Sequence, residues 1–144
     1  MTEHDPIELA ARALRQRDHS RHEIDEKLTR AGVGAEARAE SLATLERLGY
    51  VDDGRYTADR AAALAARGYG DAFIRYDLER RGVDAESVTL ALAALQPEVE
   101  RAHELALGPG SSPQAVARTV AKLARKGFSE ESLEGIVATD ADVA

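Results

Sequence analysis

Histidines and carboxylates gather at one place in the chain, Asp18-His19-Ser20-Arg21-His22-Glu23, and imidazole with carboxylate is the ligand chemistry of zinc and iron. The spacing is not that of a helical HExxH pair and no third ligand stands nearby. Ser20 and Glu23, three residues apart, already read as a capping box, so a solvated helix start is favoured over a metal site; His4 and His103 add nothing to one. Asp52-Asp53 would suit acid–base work or magnesium, but the pair precedes a helical stretch, where carboxylates are expected as caps. Gly68-Tyr69-Gly70 shares only its glycines with a phosphate cradle. No strand precedes it and Asp71 would face the anion, so a turn is expected, with Asp71 capping the next helix. The serine-rich stretch Gly108-Pro109-Gly110-Ser111-Ser112 has no histidine or lysine beside it to activate a nucleophile. The chain therefore reads as a non-enzyme, with no catalytic, cofactor-binding or metal residue expected.

The remaining candidate surface is basic. Between Gln114 and Gly127 lie Arg118, Lys122, Arg125 and Lys126 without an acid. At about 100° per residue, Val116, Val120 and Leu123 form one stripe of a helix and Arg118, Lys122 and Arg125 the opposite one. Such a stripe is either a solvated face or a contact surface for protein or phosphate.

The elements that must carry these residues repeat along the chain. Leu28-Thr29-Arg30-Ala31-Gly32-Val33, Leu78-Glu79-Arg80-Arg81-Gly82-Val83 and Leu123-Ala124-Arg125-Lys126-Gly127-Phe128 superpose on shifts of 50 and then 45 residues. The match continues into Glu36, Glu86 and Glu131 and then into Leu42, Leu92 and Val137. In each copy the Leu lies on the inner face of a last helical turn and the Gly suits the left-handed position that ends it. The recurring Arg30, Arg80 and Arg125 need no core role. They fit either a partner-binding row or a cation favoured at a helix C-terminus. Periods of this size belong to stacked helical units.

Apolar spacing predicts helices over roughly 6–17, 20–31 and 35–48, then 53–66, 71–81 and 85–95, then 97–107, 113–126 and 130–138. Ser20 starts the second of these, and Ser112 followed by Pro113 the eighth. The fold class is all-α: three tandem three-helix repeats in an elongated, curved array. The units are 1–51, 52–96 and 97–138, with 139–144 a flexible acidic tail.

Composition sets limits on partners and compartment. The 144 residues carry a net charge of −7, which argues against nonspecific nucleic-acid binding by the whole molecule, since that rests on neutralising phosphates. No cysteine occurs, removing disulfides and thiolate chemistry. The longest apolar run, near Ala61–Ala66, is too short for a membrane span, and Met1–Pro6 carries Glu3 and Asp5 where a leader would be basic. A cytoplasmic monomer is expected.

Three stretches carry a family resemblance. Leu14-Arg15-Gln16-Arg17-Asp18-His19-Ser20-Arg21-His22-Glu23-Ile24-Asp25-Glu26-Lys27-Leu28, Leu45-Glu46-Arg47-Leu48-Gly49-Tyr50-Val51-Asp52-Asp53-Gly54-Arg55-Tyr56 and Arg67-Gly68-Tyr69-Gly70 resemble, in that order, signatures of the RecX family, and Arg125-Lys126-Gly127-Phe128-Ser129 is similar to its third repeat. The resemblance covers about Ala11 to Ala138. It implies a protein that lodges in the groove of the RecA–single-stranded DNA filament, suppresses its extension, and dampens ATP hydrolysis, strand exchange and coprotease activity, without a cofactor. Ala58–Ala66 departs from the family's bulkier pattern. Two other classes stay open: a helix-turn-helix DNA-binding regulator over Ser20–Leu48, and a helical scaffold for another protein. On the first, the recognition helix would set Glu36, Glu40 and Glu46 against Arg38 and Arg47. Arg30, Arg80, Arg118, Lys122 and Arg125 are the candidate partner-binding residues.

Overall fold

Apolar residues three and four apart become the inner faces of helices. In the computed structural model residues 5–143 are described, with side chains through Ile136, and the described elements are all α-helices. They are α1 (Pro6–Gln16), α2 (Arg21–Arg30), α3 (Ala35–Arg47), α4 (Asp53–Ala66), α5 (Asp71–Arg80), α6 (Ala85–Ala93), α7 (Glu98–Ala106), α8 (Pro113–Arg125) and α9 (Glu130–Val143). They pack in threes, each group around its own core. Ala10, Ile24, Leu28, Leu42 and Leu45 fill the first; Ala61, Leu64, Ile74, Leu78 and Val88 the second; Ala102, Val116, Leu123, Phe128 and Ile136 the third. Each fully buried Leu or Ile contributes about 1.5–3 kcal/mol.

Local chemistry sets the helix ends. Ser20 and Glu23 exchange side-chain-to-amide bonds of 3.1 Å each, the reciprocal capping box. Asp52 caps α4 through the Arg55 amide, and Ser112 caps α8 with Pro113 as its first residue. At the other ends Gly32, Gly82 and Gly127 have φ of 86°, 88° and 95°, the left-handed conformation expected of them. Val33, Val83 and Phe128 each donate back to the Leu five residues earlier, at 3.0, 3.1 and 3.1 Å. All three are Schellman turns, with the apolar residue after Gly folded onto the helix end.

Three expectations need correction. Asp71 does not cap α5. Gly70 does, because a Cβ there would overlap the Gly127 carbonyl, and the Asp71 carboxylate instead meets Arg101 at 2.7 Å. His19 is not solvated; it is only 4% exposed, with Nδ1 2.9 Å from the Arg17 carbonyl. Finally, the α9 backbone stays helical to Val143, through the segment read as a tail from Thr139, since neither Gly nor Pro follows Gly135 to stop it. The side chain of Val137 lies outside those described.

The two glycines Gly32 and Gly82 share φ but not surroundings. A Cβ at Gly32 meets nothing within 4 Å of the described residues, whereas one at Gly82 would overlap the Cβ and ring of His22. Gly32→Ala should therefore cost about 1–2 kcal/mol, the left-handed penalty alone. Gly82→Ala should cost about 1–3 kcal/mol more through overpacking. Urea unfolding of both variants checks this, and equal losses would contradict the close approach of α2 to α5.

Candidate functional site

The three groups of helices meet end to end. At the first junction Ser20 Oγ, at the start of α2, donates to the Arg81 carbonyl at the end of α5, 2.7 Å away. At the second, the Gly70 amide at the start of α5 donates to the Lys126 carbonyl at the end of α8 at 2.8 Å, and the Ala72 amide to Gly127 O at 3.2 Å. The residues correspond under the same shifts, Ser20 with Gly70 and Arg81 with Lys126. A second bond repeats as well. The Arg21 amide donates to Asp53 at 2.7 Å and the Asp71 amide to Glu98 at 2.7 Å, so the first carboxylate of α4 or α7 caps the second helix of the preceding group. Carbonyls left over at one helix end are thus taken by another helix start, through the Ser20 hydroxyl at the first junction and through backbone amides at the second, while carboxylates take the remaining amides.

Charged side chains lock each junction differently. At the first, Arg81 reaches Glu23 at 3.3 Å, Tyr56 OH at 3.3 Å and Asp77 at 3.0 Å, while Arg60 forks onto both Asp77 oxygens at 2.9 and 3.0 Å. Asp77 is 3% exposed, an acid on the inner side of α5 between Ile74 and Leu78. Burial pushes the Glu23 carboxyl up, but hydrogen bonds from Arg17, the Ser20 amide and Tyr56, with the Arg17 charge, outweigh it and hold the group at about 2. Burial likewise opposes ionisation of Asp77, and Arg60 and Arg81 overcome it to hold that carboxyl below its ordinary value. At the second junction Glu98 accepts from Asp71 N, Ser129 N and the Ser129 and Ser132 hydroxyls, tying the starts of α5 and α9 to one carboxylate. Lys126 Nζ bonds the Arg67 carbonyl at 2.7 Å and sits 4.5 Å from the Tyr69 ring, which stacks on Phe73.

The nominated cations lie outside this frame. Arg30, Arg80 and Arg125 are each the last residue of α2, α5 or α8, and all are exposed. Arg30 is held loosely by Glu26 and Arg80 by Asp77, both at 3.7 Å, and Arg80 also lies over the Tyr76 ring at 5.8 Å. Arg118, Lys122 and Arg125 are exposed and meet no carboxylate among the described residues. They are not gathered into one pocket. Lys122 lines a cleft of about 270 Å³ with Arg67 and Lys126, and Arg30 one of about 430 Å³ with Arg12 and Lys27. Arg67 and Lys126 were not nominated, and neither were Arg60, Asp77, Arg81 and Glu98. The visible signal for Asp77 was an acid interrupting a buried stripe.

The 18–23 cluster does not assemble a metal site. His19 is buried with its pKa lowered, first by burial and then by the Arg17 charge, while His22 pairs with Glu26 at 3.2 Å. Among the described residues no group of three or more His, Asp or Glu could hold a metal ion, and no helix is long and apolar enough to cross a membrane.

No family model matches the sequence. Whole-chain relatives do: the regulatory protein RecX of Xanthomonas axonopodis pv. citri is 32% identical over 145 residues, spanning 96% of this chain and 89% of that protein. The chain belongs to the RecX family. The regulatory protein RecX of Stenotrophomonas maltophilia agrees, at 31% over 147 residues, 97% of this chain and 90% of that one. The fold agrees too. The crystal structure of RecX from Lactobacillus salivarius superposes with a TM-score of 0.77 at 21% identity, covering 96% of both chains. A second RecX crystal structure gives 0.73 at 23%, covering 93% of this chain and 73% of that one. The resemblance read from the ordered motifs is therefore shown, and this RecX-family chain is all-helical as expected.

Acid should test the first junction. Glu23 lies below its ordinary value of 4.5 in the folded chain, so its contribution is complete above about pH 4.5 and is lost as pH falls toward 2, and Asp77, also held below its ordinary value, adds a contribution that is lost in the same direction. Glu23→Gln should flatten that part of the acid limb, and the Glu23 carboxyl carbon should titrate near 2 by NMR; titration near 4.5 would show the network unformed. Asp77→Ala should cost about 2–3 kcal/mol, less than a wholly buried pair because Arg60 and Arg81 keep some water.

Proposed function

We propose that this RecX-family protein binds RecA, or the RecA filament on single-stranded DNA, and inhibits filament extension, ATP hydrolysis, strand exchange and coprotease activity, thereby modulating recombination and DNA repair in the SOS response. The observation that carries the reading is 32% identity, nearly end to end, with a protein named regulatory protein RecX. It acts by binding, without catalysis or cofactor, as a cytoplasmic monomer. Three repeat units, 1–51, 52–96 and 97–138, present Arg30, Arg80 and Arg125 at equivalent helix ends, with Arg118 and Lys122 beside the last. Stacked repeats commonly bind through such equivalent positions. The net charge of −7 favours acidic protein surface over bare phosphate as what these cations meet.

The purified protein should lower RecA's single-stranded-DNA-dependent ATP hydrolysis at substoichiometric amounts. Unchanged ATP turnover and filament growth at equimolar protein would overturn the assignment. Arg30, Arg80 and Arg125 separate the binding role from helix-end electrostatics, which is worth about 0.3–1 kcal/mol per cation and needs no partner. With all three changed to Gln, the chain should fold, and RecA binding measured by fluorescence anisotropy should weaken at least about tenfold, roughly 1.4 kcal/mol. A folded triple variant that binds and inhibits normally leaves only the electrostatic role.

A further inference from the structure

Both junctions use the same receptor. It is the Schellman turn that ends the second helix of a group, with a backbone carbonyl facing outward and a left-handed Gly leaving room beside it. Into it comes a helix start: a small N-cap, Ser20 or Gly70, donating to Arg81 or Lys126 O, and a first-turn residue, His22 or Phe73, against Gly82 or Gly127. At the first junction the incoming helix also brings a carboxylate, Glu23, to the receptor's cation, Arg81.

The third copy of this receptor is unfilled. Ala31 corresponds to Arg81 and Lys126, and Gly32 to Gly82 and Gly127. Gly32 has φ 86°, as its counterparts do, yet a Cβ there would meet nothing among the described residues, and no described donor reaches the Ala31 carbonyl. Beside it lies the cleft of about 430 Å³ between α1 and α2, floored by Leu9 and Ala13 and rimmed by Arg12, Lys27 and Arg30. Arg12 and Lys27 meet no carboxylate among the described residues, and Arg30 meets Glu26 only at 3.7 Å.

We propose that the end of α2, Arg30–Val33 with the α1–α2 cleft, is a docking site for a helix N-terminus on a partner protein, one that opens with a small N-cap and carries a carboxylate in its first turn. The bonding repeats that of the two internal junctions. The incoming helix directs its positive end at the negative end of α2, and its carboxylate meets Arg30, Lys27 or Arg12. A second copy of this chain fits poorly. The helix start its own order leaves over is that of α8, whose Ser112 is a small N-cap but whose first turn carries no acid to meet Arg30, Lys27 or Arg12. The inference goes beyond the RecA reading and does not depend on which protein supplies the helix.

The probe is a stapled helical peptide of residues 18–30 of this chain, which carries the docking turn of α2. It is titrated into the ¹⁵N-labelled full chain to about millimolar, because the internal junctions gain from a tether that a free peptide lacks. Amide shifts are expected at Arg30–Val33 and Arg12–Gln16. Ser20→Ala with Glu23→Gln in the peptide should weaken binding at least fivefold, and so should Lys27→Glu with Arg30→Glu in the protein. The peptide variants test the contact even if the protein variant folds poorly. No shift, shifts confined to Arg81–Val83 or Gln114–Lys126, or shifts at Arg30–Val33 produced by a single-stranded oligonucleotide but not by the peptide would each overturn the proposal.

Discussion

Everything in this chain hangs on helix ends that complete one another. An isolated helix leaves its first amides and last carbonyls without partners, and burying them unpaired would cost more than most side-chain contacts return. Here the start of α2 bonds the end of α5 and the start of α5 bonds the end of α8. A carboxylate from α4 or α7 takes the next amide. The three cores are separate, so what joins the groups is directional bonding rather than continuous apolar burial. Directional bonds fix orientation where greasy contacts tolerate sliding. They also explain the glycines, since a carbonyl is reachable at a helix end only where no Cβ stands in the way.

The two junctions share this backbone scheme and differ in side chains. The first is ionic, with Glu23 and Asp77 each between arginines and the Tyr56 hydroxyl closing the set. The second mixes a stacked Tyr69–Phe73 pair under Lys126 with the many-armed Glu98 and the Arg101–Asp71 pair. Acid removes the charge of Glu23 and Asp77 at the first junction, and it acts on the second as well, where burial opposes ionisation of Glu98 but bonds from the Ser129 and Asp71 amides and the Ser132 and Ser129 hydroxyls hold its carboxyl below the ordinary value. The second keeps in addition the Tyr69–Phe73 stack and the Gly70–Lys126 backbone bond, which carry no such dependence.

What was legible in the sequence was local. The capping box at Ser20 and Glu23, the Pro113 start, the glycine stops and the apolar stripes are all set within four or five residues, and each stands as read. What was not legible spans long separations. Asp53 read as part of a capping pair, and it is a cap, but for α2, whose Arg21 amide lies 32 residues back. His19 and Asp71 read as exposed and capping because nothing local shows that another helix end arrives there; the Ser20–Arg81 bond joins residues 61 apart. The repeat did contain the junction in coded form. Asp53 and Glu98 correspond under the same shift that relates Leu78 to Leu123, and two acids held at one repeat position outside any core call for a shared bond.

The same accounting sorts the arginines by availability. Arg60, Arg81 and Arg101 are committed to Asp77, Glu23 and Asp71, and recruiting them to a partner would break bonds that hold the groups together. Arg30 and Arg80 are exposed and weakly held, 76% and 60% free at the side chain, so turning them toward a partner sacrifices little. Arg118, Lys122 and Arg125 sacrifice no ion pair among the described residues. Repeat equivalence makes Arg30, Arg80 and Arg125 look alike, yet their surroundings grade them, with Arg125 freest and Arg80 most engaged through Asp77 and Tyr76. A chain of net charge −7 thus still carries cations without a close ion pair among the described residues on α8 and along the α1–α2 cleft, as it does at Arg15, Arg47, Arg55 and Arg67. An acidic partner surface would be drawn to the α8 and α1–α2 groups, at opposite ends of the helix-to-helix order.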